Sequence, residues 1–444
     1  MLEKTICAVA TGYDTGAISV IRVSGPDTFE ILSKVFSKDL KDAPGYTAHY
    51  GILRNPETSD FVDEVIVTIY RAPRSYTGED MAEVSCHGGR LVTSEVLMSL
   101  IEAGCELAER GEFTERAYLN GKMDLTKAEA INDVILARTK DQLALAGKEL
   151  RGSVKKLLDP LKEDMVQVIG NIEVNIDYPE YEDVEVLTNE TVAPKVEEWI
   201  AKIDEILKES EKGKLIREGV RTVIAGRTNA GKSSLFNALL EEDKAIVTDI
   251  EGTTRDIVEG EIRLETVTLL LQDTAGLRDT EDKVESIGIR KTKESIDKAD
   301  LVIVVLDATK PMEDEDWDLL DITEGKNRIV VFNKKDLIDV PGYGIYISAK
   351  EGNISALIKE INERFAFCKD AVEKPALSNE RHIGLLRKAR VSLNDAREAI
   401  ARGTELDLVC VDLHEAHNAI REIEGTYTKE NLLDDIFSRF CLGK

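Results

Sequence analysis

The chain has 444 residues and a formal net charge of −27, from 85 acidic and 58 basic side chains. That length suits about three domains, and that charge excludes a strong, nonspecific binder of bare phosphate backbones. With no signal peptide and no apolar run of about 18 residues, no membrane span is expected. The six cysteines (Cys7, Cys86, Cys105, Cys368, Cys410, Cys441) show no metal spacing and read as reduced thiols of a cytoplasmic protein.

Residues 1 to about 118 alternate strand and helix signals. Ala17–Val23 and Glu64–Tyr70 read as strands, and Thr28–Phe36 and Leu91–Ile101 as helices, which makes a compact α+β domain. From about 124 to 212 the pattern turns helical. Leu150, Val154, Leu157, Leu161, Met165, Val168, Ile172 and Ile176 recur at three- and four-residue steps, with Pro160 either kinking that run or opening a new helix. Val196, Trp199, Ile200, Ile203 and Leu207 form a second stripe.

The most informative stretch follows. Val220–Ala225 reads as a buried strand and Ser234–Leu240 as a helix. Between them, Gly226-Arg-Thr-Asn-Ala-Gly231-Lys232-Ser233 fits the phosphate-loop pattern. Two glycines free backbone N–H groups to wrap phosphate oxygens at a helix N-terminus. Lys232 would reach the outer phosphates and Ser233 would ligate Mg²⁺. Next, Gly252-Thr253-Thr254-Arg255-Asp256 offers Thr254 as a second Mg²⁺ ligand. After the strand-like Leu269–Gln272, Asp273-Thr274-Ala275-Gly276 fits the GTPase Asp-x-x-Gly element.

Position 277 departs from the common pattern. Many GTPases place a water-orienting glutamine there, and here it is Leu277, which cannot hydrogen-bond water. Arg255 and Arg278 are the nearest arginines and read more simply as solvated switch residues. Ile329–Phe332 then leads into Asn333-Lys334-Lys335-Asp336. Asp336 can accept from the ring N–H and the exocyclic amine of guanine, a donor pair adenine lacks. Ser348-Ala349-Lys350 would offer backbone donors to the base edge. The predicted GTP site is Gly226, Asn229, Ala230, Gly231, Lys232, Ser233, Ser234, Thr253, Thr254, Asp273, Thr274, Ala275, Gly276, Asn333, Lys334, Asp336, Ser348 and Ala349, with Thr248 added by the resemblance described below.

Helical stripes resume after about 376: Ile383, Leu386, Leu393, Ile400; then Leu406 to Ile423; then Leu432, Leu433, Ile436, Phe440. The expected architecture is an α+β N-terminal domain (1–118), an all-α helical domain (119–212 with 376–444), and an α/β P-loop GTPase domain (217–372) inserted into it. Arg381, His382, Arg387, Lys388 and Arg390 either touch a nucleic acid or form a solvated helix face.

These motifs converge on a family. The chain resembles the tRNA uridine-modifying GTPases (the MnmE, or TrmE, family) from end to end. The match lies in Ile21–Gly25, Thr77–Asp80, His87–Gly89, Gly111–Ala117, Leu119–Lys122, Gly252–Asp256, Asp273–Arg278 and the terminal Phe440–Lys444. Two loops depart from it: Thr228 stands where the family usually has proline, and Ala10–Asp14 replaces a Pro/Gly-rich turn. The resemblance implies a homodimer that works with the flavoprotein MnmG/GidA, which carries the FAD, in what would be a heterotetramer. Together they would place an aminomethyl or carboxymethylaminomethyl group on carbon 5 of the wobble uridine of certain tRNAs. It also implies a tetrahydrofolate derivative (5-formyl or 5,10-methylene) as one-carbon donor, held by Arg22, Glu83, Lys122 and Lys444, with Cys441 beside it as a candidate catalytic thiol. It further implies activation by K⁺, held by Asn229, Thr248, Ile250 and Thr253, and a water oriented by Glu285. From the residues alone, Glu285 is one of four acids between 279 and 285, and reads as part of a solvated loop. A competing reading is a GTP-switched ribosome-assembly factor, but such proteins append a basic RNA-binding module that this chain lacks. A third is a structural GTPase scaffold with no folate site.

Overall fold

Alternation of apolar and polar side chains shapes the N-terminal sheet. The computed structural model describes residues 4–12, 14–178, 186–242, 260–272, 295–339, 342–368, 376–426 and 430–444. Six strands come first: β1 Ile6–Val9, β2 Ile18–Ser24, β3 Thr47–Arg54, β4 Phe61–Tyr70, β5 Met81–His87 and β6 Glu106–Leu107. They pair in the order β3-β4-β5-β2-β1-β6, antiparallel except for β1 with β6. In β4, Val65, Val67 and Ile69 turn inward while Glu64 and Ile66 stay exposed. Helices Thr28–Val35 and Arg90–Glu102 cover the inner face, where Leu32, Val96 and Leu100 join Val65, Val67 and Val84 in one core. On the opposite face of β1, Ile6 and Ala8 pack with Phe113 of helix Glu112–Leu119 and with Leu442. The two predicted helices and two predicted strands are all present.

By its internal contacts the chain divides into two units. The first holds Met1–Ala137, Ala146–Val186 and Cys410–Lys444; the second holds Arg138–Leu145 and Leu187–Val409. In the first unit, helix Ser153–Asp177 runs unbroken through Pro160, which therefore does not open a new helix. Its residues Val154, Leu158, Leu161, Met165, Ile169 and Ile172 are buried.

In the second unit, helix Asn189–Glu218 packs against helix Glu380–Ala401. Six further strands form an α/β sheet: β7 Val220–Ala225, β8 Gly260–Arg263, β9 Thr268–Gln272, β10 Leu301–Asp307, β11 Arg328–Asn333 and β12 Ile345–Tyr346. Their order is β12-β11-β10-β7-β9-β8, parallel except for β8 with β9. All seven residues of β10 are buried. An apolar run with no alternation is what a parallel strand covered on both faces requires. Among the described residues no helix is long and apolar enough to cross a membrane.

Candidate functional site

The carboxyl ends of parallel strands are where α/β sheets bind ligands, and the nucleotide motifs gather there. The phosphate loop leaves β7 at Gly226 and enters helix Lys232–Glu242. Two close approaches explain its glycines. A Cβ on Gly226 would come within 2.4 Å of the Val305 carbonyl, and one on Gly231, where φ is +97°, within 2.1 Å of Asn333 Nδ2. Asn229 also has positive φ, at 61°, and its side chain is exposed, as are those of Ser233 and Ser234. The half-buried Lys232 ammonium rests on the loop itself, donating to the Gly226 and Arg227 carbonyls at 2.8 and 2.9 Å. Arg227 ties the loop to the acidic helix Asp314–Ile322 by ion pairs to Glu313 and, at 2.9 Å, to Asp316.

Asn333 ends β11 and is buried. Its amide donates to the Ala230 carbonyl at 2.9 Å and its carbonyl accepts from the Ala349 N–H at 3.0 Å. One side chain thus pins the phosphate loop to both loops expected at the base. Ser348 contributes its hydroxyl, which donates to Asp336 Oδ1 at 2.6 Å, so the exposed Asp336 carboxylate is oriented from one side. Lys334 pairs with Asp307 at 2.6 Å. The structure therefore brings together Gly226, Ala230, Gly231, Lys232, Asn333, Lys334, Asp336, Ser348 and Ala349. The remaining predicted positions Thr248, Ile250, Thr253, Thr254, Asp273, Thr274, Ala275, Gly276 and Glu285 lie outside the described residues, as do Arg255, Leu277 and Arg278.

A second polar cluster sits on the N-terminal sheet. Arg22 of β2 and Glu83 of β5 are cross-strand partners, so their side chains meet on one face. Arg22 donates twice to Glu83 Oε1, at 2.8 and 3.2 Å, and once to the Gly443 carbonyl at 3.1 Å. Its guanidinium lies 5.1 Å from the Tyr76 ring centroid and 5.6 Å from that of Phe113, within cation–π range. Glu83 Oε2 accepts from Tyr70 at 3.3 Å. Burial and the Glu83 charge push the Tyr70 phenol up, so it stays a donor. Partial burial and the Arg22 charge lower the Lys444 ammonium. A Cβ on Gly443 would strike the Val9 carbonyl at 2.3 Å, which explains a glycine where the chain's last residues lie against β1. Cys441 is exposed, and the other five cysteines are buried. Lys122 donates instead to the Pro73 carbonyl at 2.8 Å, in the loop between β4 and β5.

Sequence reasoning passed over Tyr70, Tyr76, Arg227 and Asp307. Only Asp307 carried a signal: a carboxylate closing an apolar parallel strand at the carboxyl edge of the sheet. Three arginines of helix Glu380–Ala401 form ion pairs at its surface. Arg387 pairs with Glu211, Arg390 with Asp204, and Arg397 with Glu197 at 3.7 Å.

The model of the MnmE helical domain matches residues 125–441, and that of the GTP-binding protein TrmE N-terminus matches residues 5–122. The tRNA modification GTPase MnmE of Streptococcus thermophilus is 44% identical over 450 residues, spanning 99% of this chain and 98% of its own. Its namesake in Lactiplantibacillus plantarum is 42% identical over 455 residues, spanning 99% and 98%. That of Bacillus cereus is 43% identical over 454 residues, spanning 99% of each.

Proposed function

The chain belongs to the MnmE family of tRNA modification GTPases, and we propose that it joins GTP hydrolysis to one-carbon chemistry on tRNA. In this reading it is a Mg²⁺-dependent, K⁺-activated GTPase. Working as a homodimer with an FAD-carrying MnmG/GidA partner in the cytoplasm, it adds an aminomethyl or carboxymethylaminomethyl group to carbon 5 of the wobble uridine. The one-carbon unit would come from a 5-formyl or 5,10-methylene tetrahydrofolate.

The observation that carries the GTPase half is the Asn333 clamp, which joins Ala230 and Ala349 through one buried amide. It supports reading the Gly226–Ser233 loop as a phosphate cradle and Asp336 as the guanine-reading carboxylate beside it. Lys232, now on loop carbonyls, is poised to exchange them for phosphate oxygens, a stronger charge-assisted bond. Ser233 is exposed and available to Mg²⁺, and Asn229 to K⁺. Thr254 is proposed as a second Mg²⁺ ligand. Thr248, Ile250 and Thr253 are proposed as further K⁺ ligands, and Glu285 as the residue that orients water.

The folate half rests on the sheet cluster. Glu83 offers Oε2 to a donor edge such as a pterin's, while Arg22 and Tyr70 fix its orientation. Lys444 and Lys122 supply positive charge suited to a glutamate tail. Cys441, three residues from Lys444, is exposed enough to react.

The test is nucleoside analysis of tRNA from cells lacking this protein. The 5-substituted wobble uridine should disappear, return with the wild-type chain, and fail to return with Lys232→Ala. An unchanged nucleoside profile in the deletion strain would sink the tRNA assignment.

A further inference from the structure

Asp307 closes β10, and no role assigned above uses it. Its side chain is buried and both carboxylate oxygens are occupied. Oδ1 accepts from the Thr309 N–H at 3.0 Å and from the Thr309 hydroxyl at 2.6 Å. Oδ2 accepts from the Lys334 ammonium at 2.6 Å. Burial raises the Asp307 carboxyl, but the bonds from Lys334 and Thr309 outweigh it and hold the group below the usual carboxylate range. It is therefore ionised at neutral pH.

Lys334 has φ of +67°, a left-handed conformation that strains a side chain with a Cβ. Directly after it, the single turn Lys335–Leu337 carries Asp336. Asp307 and Asn333 are register partners, and the Ala308 N–H donates to the Asn333 carbonyl at 3.0 Å. The ends of β10 and β11 are thus fixed to each other, and the Asp307–Lys334 pair extends that anchorage into the kink. Asp336 hangs between two restraints: this kink on the chain side and the Ser348 hydroxyl on the other.

We propose that Asp307 is a positioning residue for base selection: by holding Lys334 in its left-handed kink, it sets the direction in which Asp336 meets the purine. The inference rests on Asp336 as the guanine-reading carboxylate. Accepting from a ring N–H and an exocyclic amine at once requires both oxygens in place. A purine without the amine, hypoxanthine, asks for only one. Loosening the kink should therefore weaken guanine nucleotides more than hypoxanthine nucleotides.

The experiment titrates the full chain with GDP and IDP by calorimetry. Asp307→Asn keeps the volume and an acceptor for Thr309 but removes the charge that holds Lys334. It should lower GDP affinity about tenfold, with a smaller loss for IDP, so the GDP:IDP preference falls. In a Lys334→Gly background, where glycine relieves the strain and the partner is gone, Asp307→Asn should change that preference by less than about twofold. Thr309→Val, which frees the Asp307 carboxylate from its hydroxyl, should shift the preference in the same direction and gives a second route should Asp307→Asn not fold. An unchanged GDP:IDP preference in both Asp307→Asn and Thr309→Val, or an Asp307→Asn effect of equal size with and without Lys334, overturns the proposal. Asp336→Asn separates the two layers: it should shift preference from GDP to XDP. Without that shift the base-site reading itself fails. With it, and with Asp307 inert, only the positioning role fails.

Discussion

Glycine at 231 shows how tightly single residues are specified. Its φ of +97° and the 2.1 Å approach to Asn333 Nδ2 leave no room for a methyl group. Gly231→Ala would strain the backbone and push the Asn333 amide off the Ala230 carbonyl. Together these cost about 2–4 kcal/mol. Because the loss falls on the joint between phosphate and base loops, fluorescence titration should show GTP affinity lowered at least about tenfold. Glu83 makes the matching case on the other sheet. Glu83→Gln keeps the shape but removes the charge that Arg22 faces and that a ligand's donor edge would meet. Folate affinity of the full chain should fall about tenfold or more, read by calorimetry, with GTP hydrolysis by the same preparation as the folding control. Unchanged folate binding would remove Glu83 from the pocket.

Elements differed in how plainly they could be read. The strand–loop–helix around Gly226 and the strand before Asn333 were legible, because buried parallel strands are uninterrupted apolar runs and their motifs have fixed spacing. β1, with four residues buried on both faces, is too short to show a period. β5 turns Ala82, Val84 and Cys86 inward and Glu83 to the other face, into the polar cluster, but buried Met81 at its start breaks the alternation. β3 buries only Gly51 and Leu53 fully. The site showed the same split: Asn333 was legible as part of a motif, but its bond to Ala230 spans 103 residues and its bond to Ala349 spans 16, and neither leaves a local signature. One helix also carries a group no motif marks. His417, on helix Leu406–Ile423, is 6% exposed. Burial and then the charges of Arg421, His414 and Lys162 hold its imidazole below the ordinary value of 6.5. The unfolded chain therefore takes up this proton first. The folded state should lose stability as pH falls below 6.5 toward the lowered folded value, and gain nothing from this group above 6.5. Thermal melts between pH 5 and 7.5 should show a shallower acid slope for His417→Gln than for the parent. Parallel slopes would show that His417 titrates alike in both states.

At the scale of the whole molecule, the question is how a GTPase with leucine after its Asp-x-x-Gly element hydrolyses GTP. Leu277 cannot orient water, and the nearby Arg255 and Arg278 read as solvated switch residues rather than fingers. On the proposed reading, a monovalent cation between the α- and γ-phosphates takes the finger's place, offsetting charge that grows in the transition state. Asn229 has the attributes of a ligand in that position: an exposed carboxamide in the phosphate loop, on a backbone already turned to positive φ. Single-turnover hydrolysis should therefore be slow in NaCl and much faster in KCl at matched ionic strength, since oxygens spaced for K⁺ hold the smaller Na⁺ poorly. Asn229→Ala should remove most of the K⁺ response while GTP affinity changes little, because Lys232 and the loop amides still hold the phosphates. Glu285→Ala should lower the rate in KCl without abolishing K⁺-driven pairing of the GTPase domains, because its proposed partner is the water and not the cation. If the two salts give equal rates, the cation is not the missing charge, and Arg255 and Arg278 become the residues to substitute next.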